Sequence, residues 1–268
     1  MVNYLSKVLK NLQVIIFILF FSMLYSQKGK HIEIDYIFSK KLSKKDSTRI
    51  NKLYKLFITD KKSVFISDES LKADSVALVI RKTGNINFGA VNMSLYELDE
   101  TIAFNGLSNK IITYKHIRGA PIGYSDEAPT AWKLLNETKK VDNILLNSAE
   151  IEFGGRKWYA WYSGQYQLNE GPYKFKNLPG LIFEIHDSEN IFNFQLSRIV
   201  NREKFYERDY SQFIIATKEK YKEVINTYII NPAPQLTKIF TQESRDRVKK
   251  NSIERHKNRY YIEKEFED

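Results

Sequence analysis

The side chains that most often carry enzyme chemistry are few in this sequence, and they are scattered. The chain has no cysteine, which excludes thiol catalysis, thiolate metal sites and disulfides. A zinc-protease helix needs two histidines one turn apart with a glutamate between them. The four histidines are instead far apart: His31, His116, His186 and His256. No nucleophile elbow or phosphate-cradling glycine loop is present either. The sequence supports no familiar motif-bearing enzyme class, predicts no cofactor and favours a non-enzyme.

One arrangement has the spacing of a metal site. His31, Glu33 and Asp35 alternate along the chain, so in a strand they project from the same face. Such ligands suit a divalent cation. They also form the polar side of an amphipathic strand, and an ordinary solvated face is the favoured interpretation, so no metal is predicted. Because the 32 acidic residues offer too many pairs to choose from, a hydrolase with a carboxylate-based site and no linear motif stays an alternative.

An aromatic cluster around residues 158–175 could bind a ligand. Alternation along the strand places Tyr159 and Trp161 on one face and Trp158, Ala160 and Tyr162 on the other. Only one face need be core, and exposed apolar patches usually signify binding. Packing of all these rings in the core is the competing interpretation. The predicted ligand-binding residues are Trp158, Trp161, Tyr162, Tyr173 and Phe175.

Residues 171–182, with the sequence GPYKFKNLPGLI, resemble the signature of the GLPGLI family. Leu178 to Ile182 match the hexapeptide that names the family, and Asn177 replaces its first glycine. Asn also accepts positive φ, so we expect the turn to survive. Similar features flank the motif, and the specific likeness covers residues 131–200. The family comprises exported proteins of uncharacterised function from Gram-negative bacteria, so the resemblance implies export but no activity.

The motif itself is interpreted as a structural device for entering a strand. Proline presets φ, and glycine supplies a conformation that other residues disfavour, while the flanking leucines can be buried. The residues assigned this structural role are Gly171, Pro172, Leu178, Pro179, Gly180, Leu181 and Ile182.

The elements that must position these residues are mostly strands. Period-two alternation of apolar residues predicts strands over 31–38, 53–59, 64–66, 101–104 and 111–114, the last two joined by an Asn105-Gly106 turn. For residues 53–59 an amphipathic helix is the alternative. Two further hairpins are predicted, 149–153 with 157–162 through Gly154-Gly155, and 181–186 with 191–200. Residues 119–129, rich in glycine and proline, are predicted to be a loop. Residues 68–92 are ambiguous and receive no assignment.

Helical spacing begins after residue 201. Apolar residues from 214 to 228 recur every three or four positions, and Pro232 ends that pattern. The highly charged tail, 242–268, predicts a frayed surface helix. The predicted fold is therefore α+β: a curved antiparallel sheet with helices packed on one face and a charged C-terminal helix. This open half-barrel has a fold-level likeness to periplasmic lipoprotein carriers, which hold acyl chains.

The amino end reads as a signal peptide. Lys7 and Lys10 precede an apolar run from Leu12 to Leu24, and Ser26 offers a cleavage site. The run is shorter than the roughly 20 residues that span a bilayer, so no transmembrane segment is expected after cleavage. With no cysteine to carry a lipid, no lipid anchor is expected either. The predicted divisions are a signal peptide at 1–26, a β-rich domain of GLPGLI type at 27–230 and a charged helical tail at 231–268.

The net charge of +10 does not indicate nucleic-acid binding, because basic and acidic residues are interleaved rather than gathered in a patch. The leading hypothesis is a periplasmic or secreted cell-envelope protein that binds, without catalysis, an apolar small molecule or acyl chain, or an outer-membrane protein. The alternatives are the hydrolase and a structural component of an envelope assembly.

Overall fold

A computed structural model describes residues 31–83, 100–105, 109–117, 120–231 and 241–267. The predicted signal peptide, 1–26, lies outside these ranges. Within them, every helix is too short or too polar to cross a lipid bilayer.

The described chain is dominated by one twelve-stranded sheet that is not closed into a barrel. Its spatial order is β12-β6-β5-β4-β3-β2-β1-β11-β10-β9-β8-β7. Neighbouring strands are antiparallel except β6 and β12, which are parallel. The strands are β1 His31–Ser43, β2 Asp46–Ile58, β3 Lys62–Ser67, β4 Thr101–Asn105, β5 Lys110–Ile117, β6 Ala120–Glu127, β7 Lys133–Val141, β8 Ile144–Phe153, β9 Arg156–Ser163, β10 Leu181–Asp187, β11 Phe192–Arg202 and β12 Ile214–Ala216.

Three α-helices and one short 3-10 helix complete the fold of the described residues. They are α1 Asp68–Thr83, α2 Lys218–Ile230, α3 Gln242–Lys257 and the 3-10 helix Lys264–Phe266. Helix α2 begins at a side-chain cap, because the Thr217 hydroxyl accepts a hydrogen bond from the backbone N–H of Lys220. The α+β class that the sequence predicts is confirmed at this level.

Alternation divides the sheet into two chemically different faces. The core face carries large buried apolar residues on adjacent strands, among them Tyr36, Leu56 and Phe65. The opposite face, here the outer face, carries Glu33 and Lys55. Successive side chains of a strand point to opposite faces, and this explains why the period-two pattern locates the core correctly.

The core face is covered mainly by irregular chain rather than by helices. Residues 164–180, here the cover loop, join β9 to β10 and place Phe175 and Leu178, both fully buried, in the main core. Residues 259–267, here the C-terminal segment, contribute Tyr260 and Ile262 to the same cluster. An uncovered sheet face would expose a large apolar surface to water. The cover loop and the C-terminal segment bury that surface.

The helices do not share one face, so that part of the prediction is wrong. Leu71 of α1 packs on Val64 and Ile66 of the outer face, whereas Tyr221 of α2 packs against Tyr124 of the core face. A sheet whose two faces are both partly apolar needs cover on both sides, and α1 and α2 supply it separately.

Two local predictions also require correction. Residues 119–129 were expected to form a loop, but β6 occupies most of that range; Pro121 is tolerated because β12 pairs only with Ile122 to Tyr124. The helix expected from residue 214 begins at Lys218, because Ile214 belongs to β12. Residues 68–92, left unassigned, contain α1, and residues 84–92 lie outside the described ranges.

The remaining element predictions fare better. The pairing of Phe104 with Ile111 confirms the β4–β5 hairpin, although its turn, 106–108, lies outside the described residues. Gly154 and Gly155 form the tight turn between β8 and β9 with φ of 59° and 72°. Helix α3 has no buried residue, as expected of the charged tail, but the C-terminal segment that follows it packs against the sheet.

Candidate ligand cavity under the C-terminal segment

The cover loop owes its course to residues with positive φ. Tyr173 has φ of 56° and Asn177 of 72°, so asparagine adopts the left-handed conformation expected of it in place of glycine. Gly180 has φ of 148°, and an added Cβ would collide with the Ser163 carbonyl. Only glycine fits there. Next to it, Leu178 and Leu181 are fully buried, so the motif feeds the chain into β10 as the sequence suggests.

The cover loop also carries a buried lysine at the centre of an ion-pair group, here the Lys174 cluster. The Lys174 ammonium, fully buried, lies 2.7 Å from Glu263 and 2.9 Å from Asp126. It also donates to the Tyr124 hydroxyl at 2.9 Å. On the other side of Glu263, Lys218 approaches the second carboxylate oxygen at 2.7 Å. The cluster therefore joins the cover loop, β6, α2 and the C-terminal segment.

The charges in this cluster offset the cost of burying them. Burial acts to raise the pKa of Glu263, but the positive charges of Lys174 and Lys218 outweigh it and hold that pKa below its ordinary value. Burial likewise acts to lower the pKa of Lys174, and the charges of Glu263 and Asp126 raise it overall. The Tyr173 hydroxyl donates a further hydrogen bond to Glu263 at 2.6 Å. Glu263 and Lys174 are both ionised at neutral pH.

A second set of contacts fixes the C-terminal segment at the β8–β9 turn. The Arg156 guanidinium is buried, donates to the Tyr261 carbonyl at 3.2 Å and pairs with Glu267 at 2.7 Å. The backbone N–H of Lys264 donates to the Gly154 carbonyl at 2.8 Å. The segment is thus held at both ends of its contact with the sheet.

Between the sheet and this segment lies a cavity of about 150 Å³. The floor is mainly aromatic and belongs to four strands of the core face, and the roof is the C-terminal segment. The floor residues are Phe38, Tyr54, Phe65, Phe192 and Phe194 together with Lys40, Ile50 and Lys52, and the roof residues are Arg259, Tyr260, Tyr261, Ile262, Glu263 and Phe266. The rings of Phe38 and Phe194 stack with centroids 4.5 Å apart, and those of Tyr54 and Phe65 at 4.8 Å.

One end of the cavity is polar. Glu100 and Lys115 line it and face each other at 3.5 Å. The Tyr221 hydroxyl donates to the same Glu100 oxygen at 3.1 Å. Tyr173 and Glu263 line the cavity as well. An aromatic floor with a few converging polar groups is the usual composition of a small-molecule site.

The five predicted ligand-binding residues do not come together at this cavity. Trp158 and Phe175 are fully buried in the main core, with ring centroids 4.7 Å apart, and Tyr162 is buried in the same cluster. Trp161 lies on the other side of β9, where the Lys139 ammonium sits 4.4 Å above its ring. Only Tyr173 lines the cavity.

Sequence reasoning missed most of the cavity. The aromatic floor comes from β1, β2, β3 and β11, and the alternation of Phe192 with Phe194 was the signal that could have pointed to it. Nothing local marks Lys174 and Glu263 as partners, because they are 89 residues apart. The periodicity of apolar residues predicts on which face of a strand a side chain lies. It does not predict which distant charged residue that side chain contacts.

The metal-like triplet is partly confirmed in geometry. Glu33 and Asp35 share the outer face, but both are buried and bind cations of the protein: Lys55 lies 2.9 Å from Glu33 and 2.8 Å from Asp35. Burial acts to raise the pKa of Glu33, but hydrogen bonds from Arg202 and Lys55 lower it to about 2. The solvated face that was favoured is therefore wrong. Within the described ranges no group of three or more potential ligands could hold a metal ion.

Comparison with known proteins gives a likeness of fold alone. No family model matches the sequence, and no curated protein matches it. Among solved structures, PNGF-II in space group P21 is similar with a TM-score of 0.50 and 15% identity, over 73% of this chain and 33% of that one. PNGF-II in space group C2 gives 0.51 and 14%, over 73% and 32%. The chain thus spans about a third of the length of these structures, and at such identities it shares with them an architecture.

Proposed function

We propose that this protein is an exported, non-catalytic binding protein whose ligand is a small apolar molecule held in the cavity under the C-terminal segment. The observation that carries the proposal is the aromatic floor of a cavity that the protein's own side chains leave unfilled. Five aromatic rings that border a partly open cavity lack packing partners on that side, and a bound apolar ligand would supply those contacts.

The volume defines the size of the ligand. A mainly apolar cavity of about 150 Å³ accommodates a molecule such as benzene. A full acyl chain, one of the ligands that the sequence suggested, does not fit while the C-terminal segment is in place. The ligand class is therefore a single aromatic ring or a short branched hydrocarbon. Glu100 and Lys115 at the polar end would orient one polar substituent.

The state of the Glu263 carboxylate supports binding over hydrolysis. A general acid works best when its pKa lies near the operating pH. The pKa of Glu263 is lowered, and both of its oxygens accept hydrogen bonds from lysines. Such a group is a poor proton donor at neutral pH, and its contacts are those of a structural anchor.

Export and membership in the GLPGLI family belong to the same proposal. They rest on the basic and apolar pattern of residues 1–26 and on the motif at 177–182. A binding protein in the cell envelope meets small apolar molecules that cross the outer layers of the cell. Its proposed location is therefore compatible with a cavity for an apolar ligand.

The test measures the unfolding temperature of the mature protein with saturating benzene, toluene or indole. A ligand at 100 times its Kd stabilises the folded state by about 2.7 kcal/mol. For a chain of this length that corresponds to a rise of roughly 5–10 °C. Ile262→Phe adds volume to the roof of the cavity and should abolish the rise.

The matched control is Ile199→Phe, which changes another partly buried isoleucine that packs on the main core and does not line the cavity. Its ligand-induced rise should equal that of the wild type. A protein that none of the three compounds stabilises would contradict the proposal. So would a rise that survives in Ile262→Phe and disappears in the control.

A further inference from the structure

The outer face carries a second concave site, separate from the cavity. A groove of about 850 Å³ lies between strands β3 to β6 and residues 205–210, which cross the outer face. Its volume is within the range of about 300–1,000 Å³ that is usual for small-molecule sites. The sheet itself separates the groove from the cavity, because the residues of the two floors alternate along the same strands.

The floor of the groove is an apolar row. Val64 pairs with Ala103, and Ala103 pairs with Ile112. Adjacent strands place these three side chains side by side on one face. Tyr114, two residues after Ile112, continues the floor along β5.

One end of this floor is basic. Lys62 and Lys110 each precede a floor residue by two positions, Val64 in β3 and Ile112 in β5, so both lie on the outer face at the same end. Both are exposed. Since β4 runs between their strands, their backbones are about 10 Å apart. Lys61 also lines this end.

The positive and negative charges in and beside the groove nearly cancel over its whole length, and the excess of positive charge lies at one end. Glu207 and Asp209 line it, and Glu127 pairs across the sheet with Lys110. Arg208 lines it too, but its guanidinium lies 3.1 Å from Asp74 of α1. At the basic end, Glu127 offsets the charge of Lys110, and Lys61 and Lys62 contribute two further positive charges.

The far wall is held in place by stacking and by a partly buried hydrogen bond. The Tyr206 ring stacks on Phe57 at 5.0 Å, and its hydroxyl donates to Asp74 at 2.9 Å. The Tyr210 ring stacks on Tyr114 at 4.2 Å. A groove with such a wall is formed before any ligand arrives, which reduces the entropic cost of binding.

We propose that this groove binds a free amphipathic carboxylate of the fatty-acid class. The carboxylate would lie at Lys62 and Lys110, and the hydrocarbon chain would run over Ile112 toward Tyr114. From residue 110 to residue 114 a strand extends about 14 Å, which suits an extended chain of about twelve carbons. Charge-assisted hydrogen bonds from lysine fix the head, and burial of the chain adds the hydrophobic contribution.

Isothermal titration calorimetry with monomeric dodecanoate tests the proposal on the mature protein. Dodecanol and dodecyltrimethylammonium supply the same chain with a neutral and a positive head. We expect dodecanoate to bind at least about tenfold more tightly than either. The double variant Lys62→Gln/Lys110→Gln should weaken dodecanoate binding by about tenfold or more. Its matched control, Lys140→Gln/Lys249→Gln, removes the same charge elsewhere and should bind as the wild type does.

Several outcomes would overturn this assignment. They are equal affinity for dodecanoate and dodecanol, no binding of dodecanoate, and unchanged binding in the double variant. Adsorption to phosphatidylglycerol vesicles without binding of the monomeric carboxylate would instead make the basic end a membrane contact. Loss of binding in Ile262→Phe would move the ligand to the cavity. Because that variant leaves the groove intact, failure of the groove and failure of the cavity are distinguishable.

Discussion

Glu263 anchors the C-terminal segment, and its replacement by glutamine isolates the contribution of one charge. Glutamine keeps the size of the side chain, and its amide oxygen can still accept from Lys174 and the Tyr173 hydroxyl, now 2.7 Å and 2.6 Å from the carboxylate. The amide nitrogen, however, would face the Lys218 ammonium, which lies 2.7 Å from the other oxygen. Two donors would then point at each other.

The cost can be bounded from the partners that remain. Breaking a buried ion pair by removing one member costs about 3–5 kcal/mol, because the other charge stays buried. Lys174 retains Asp126 at 2.9 Å. Lys218 is 22% exposed and retains Glu265 as well as water. The loss for Glu263→Gln should therefore lie at the lower end, about 3 kcal/mol, which lowers the unfolding temperature by roughly 6–12 °C.

The pH dependence provides an independent check. The pKa of Glu263 is lowered from 4.5 in the folded protein. A carboxyl of this kind stabilises the fold above its unfolded pKa, and the stabilisation is lost as pH falls through the folded pKa. The difference in stability between wild type and Glu263→Gln should be complete near pH 7 and should narrow as pH falls below about 4.5.

Urea denaturation followed by tryptophan fluorescence measures both quantities. The matched control is Glu265→Gln, which removes a carboxylate that pairs with the same Lys218 but is 45% exposed. An exposed pair contributes about 0–1 kcal/mol. Equal losses for the two variants would refute the reasoning, because burial would then have no bearing on the cost. A difference from wild type that is constant from pH 7 to pH 3 would refute it as well.

Three other comparisons of variants test separate parts of the account by urea denaturation or calorimetry. Gly180→Ala should lower the free energy of unfolding by at least about 2 kcal/mol, because of its positive φ and the carbonyl contact. In the control Gly164→Ala the added Cβ meets only an ordinary contact, so stability should change by less than about 0.5 kcal/mol. Equal effects of the two substitutions would contradict the role of the motif. Trp158→Ala should cost about 3–5 kcal/mol and Trp161→Ala about 1 kcal/mol, and the reverse order would disprove the assignment of their faces. Because the pKa of Glu33 is about 2 in the folded protein, the unfolding temperature of the wild type should rise from pH 2 to pH 4.5 more steeply than that of Glu33→Gln; parallel curves would show that its ion pairs do not stabilise the fold.

The strands were predictable because their signal is local. In β1, Ile34, Tyr36 and Phe38 alternate and all three are buried on the core face, and turns such as Gly154-Gly155 are dictated by backbone conformation. The loop predicted at 119–129 is wrong because glycine and proline are tolerated in β6, which has only a three-residue neighbour on one side. The position of a strand within its sheet cannot be predicted from local sequence. The hydrogen bonding that a proline removes from a sheet depends on that position.

The site was less predictable because its contacts join distant segments. The cavity is closed by residues near 260 that lie over strands near 38, 54 and 194. In the sequence these residues look like a charged tail, and only the burial of Glu263 against Lys174 reveals why the tail folds back. Of the aromatic residues predicted to bind a ligand only Tyr173 lines the cavity, because alternation alone could not show that Trp158 fills the core while Phe194 borders the cavity.

The alternation that separates the two faces also makes the two proposed sites independent in experiment. Val64 lines the groove and Phe65 lines the cavity, although they are neighbours in β3. Consecutive residues of a strand point to opposite faces, so enlarging or shrinking one side chain changes one site and leaves the other's lining in place. A ligand whose affinity responds to position 65 and not to position 64 therefore binds beneath the C-terminal segment, and the opposite response assigns it to the basic groove. If substitutions at positions 64 and 65 changed the affinity for one ligand equally, they would be acting through the stability of β3 itself. The ligand could then be assigned to neither site.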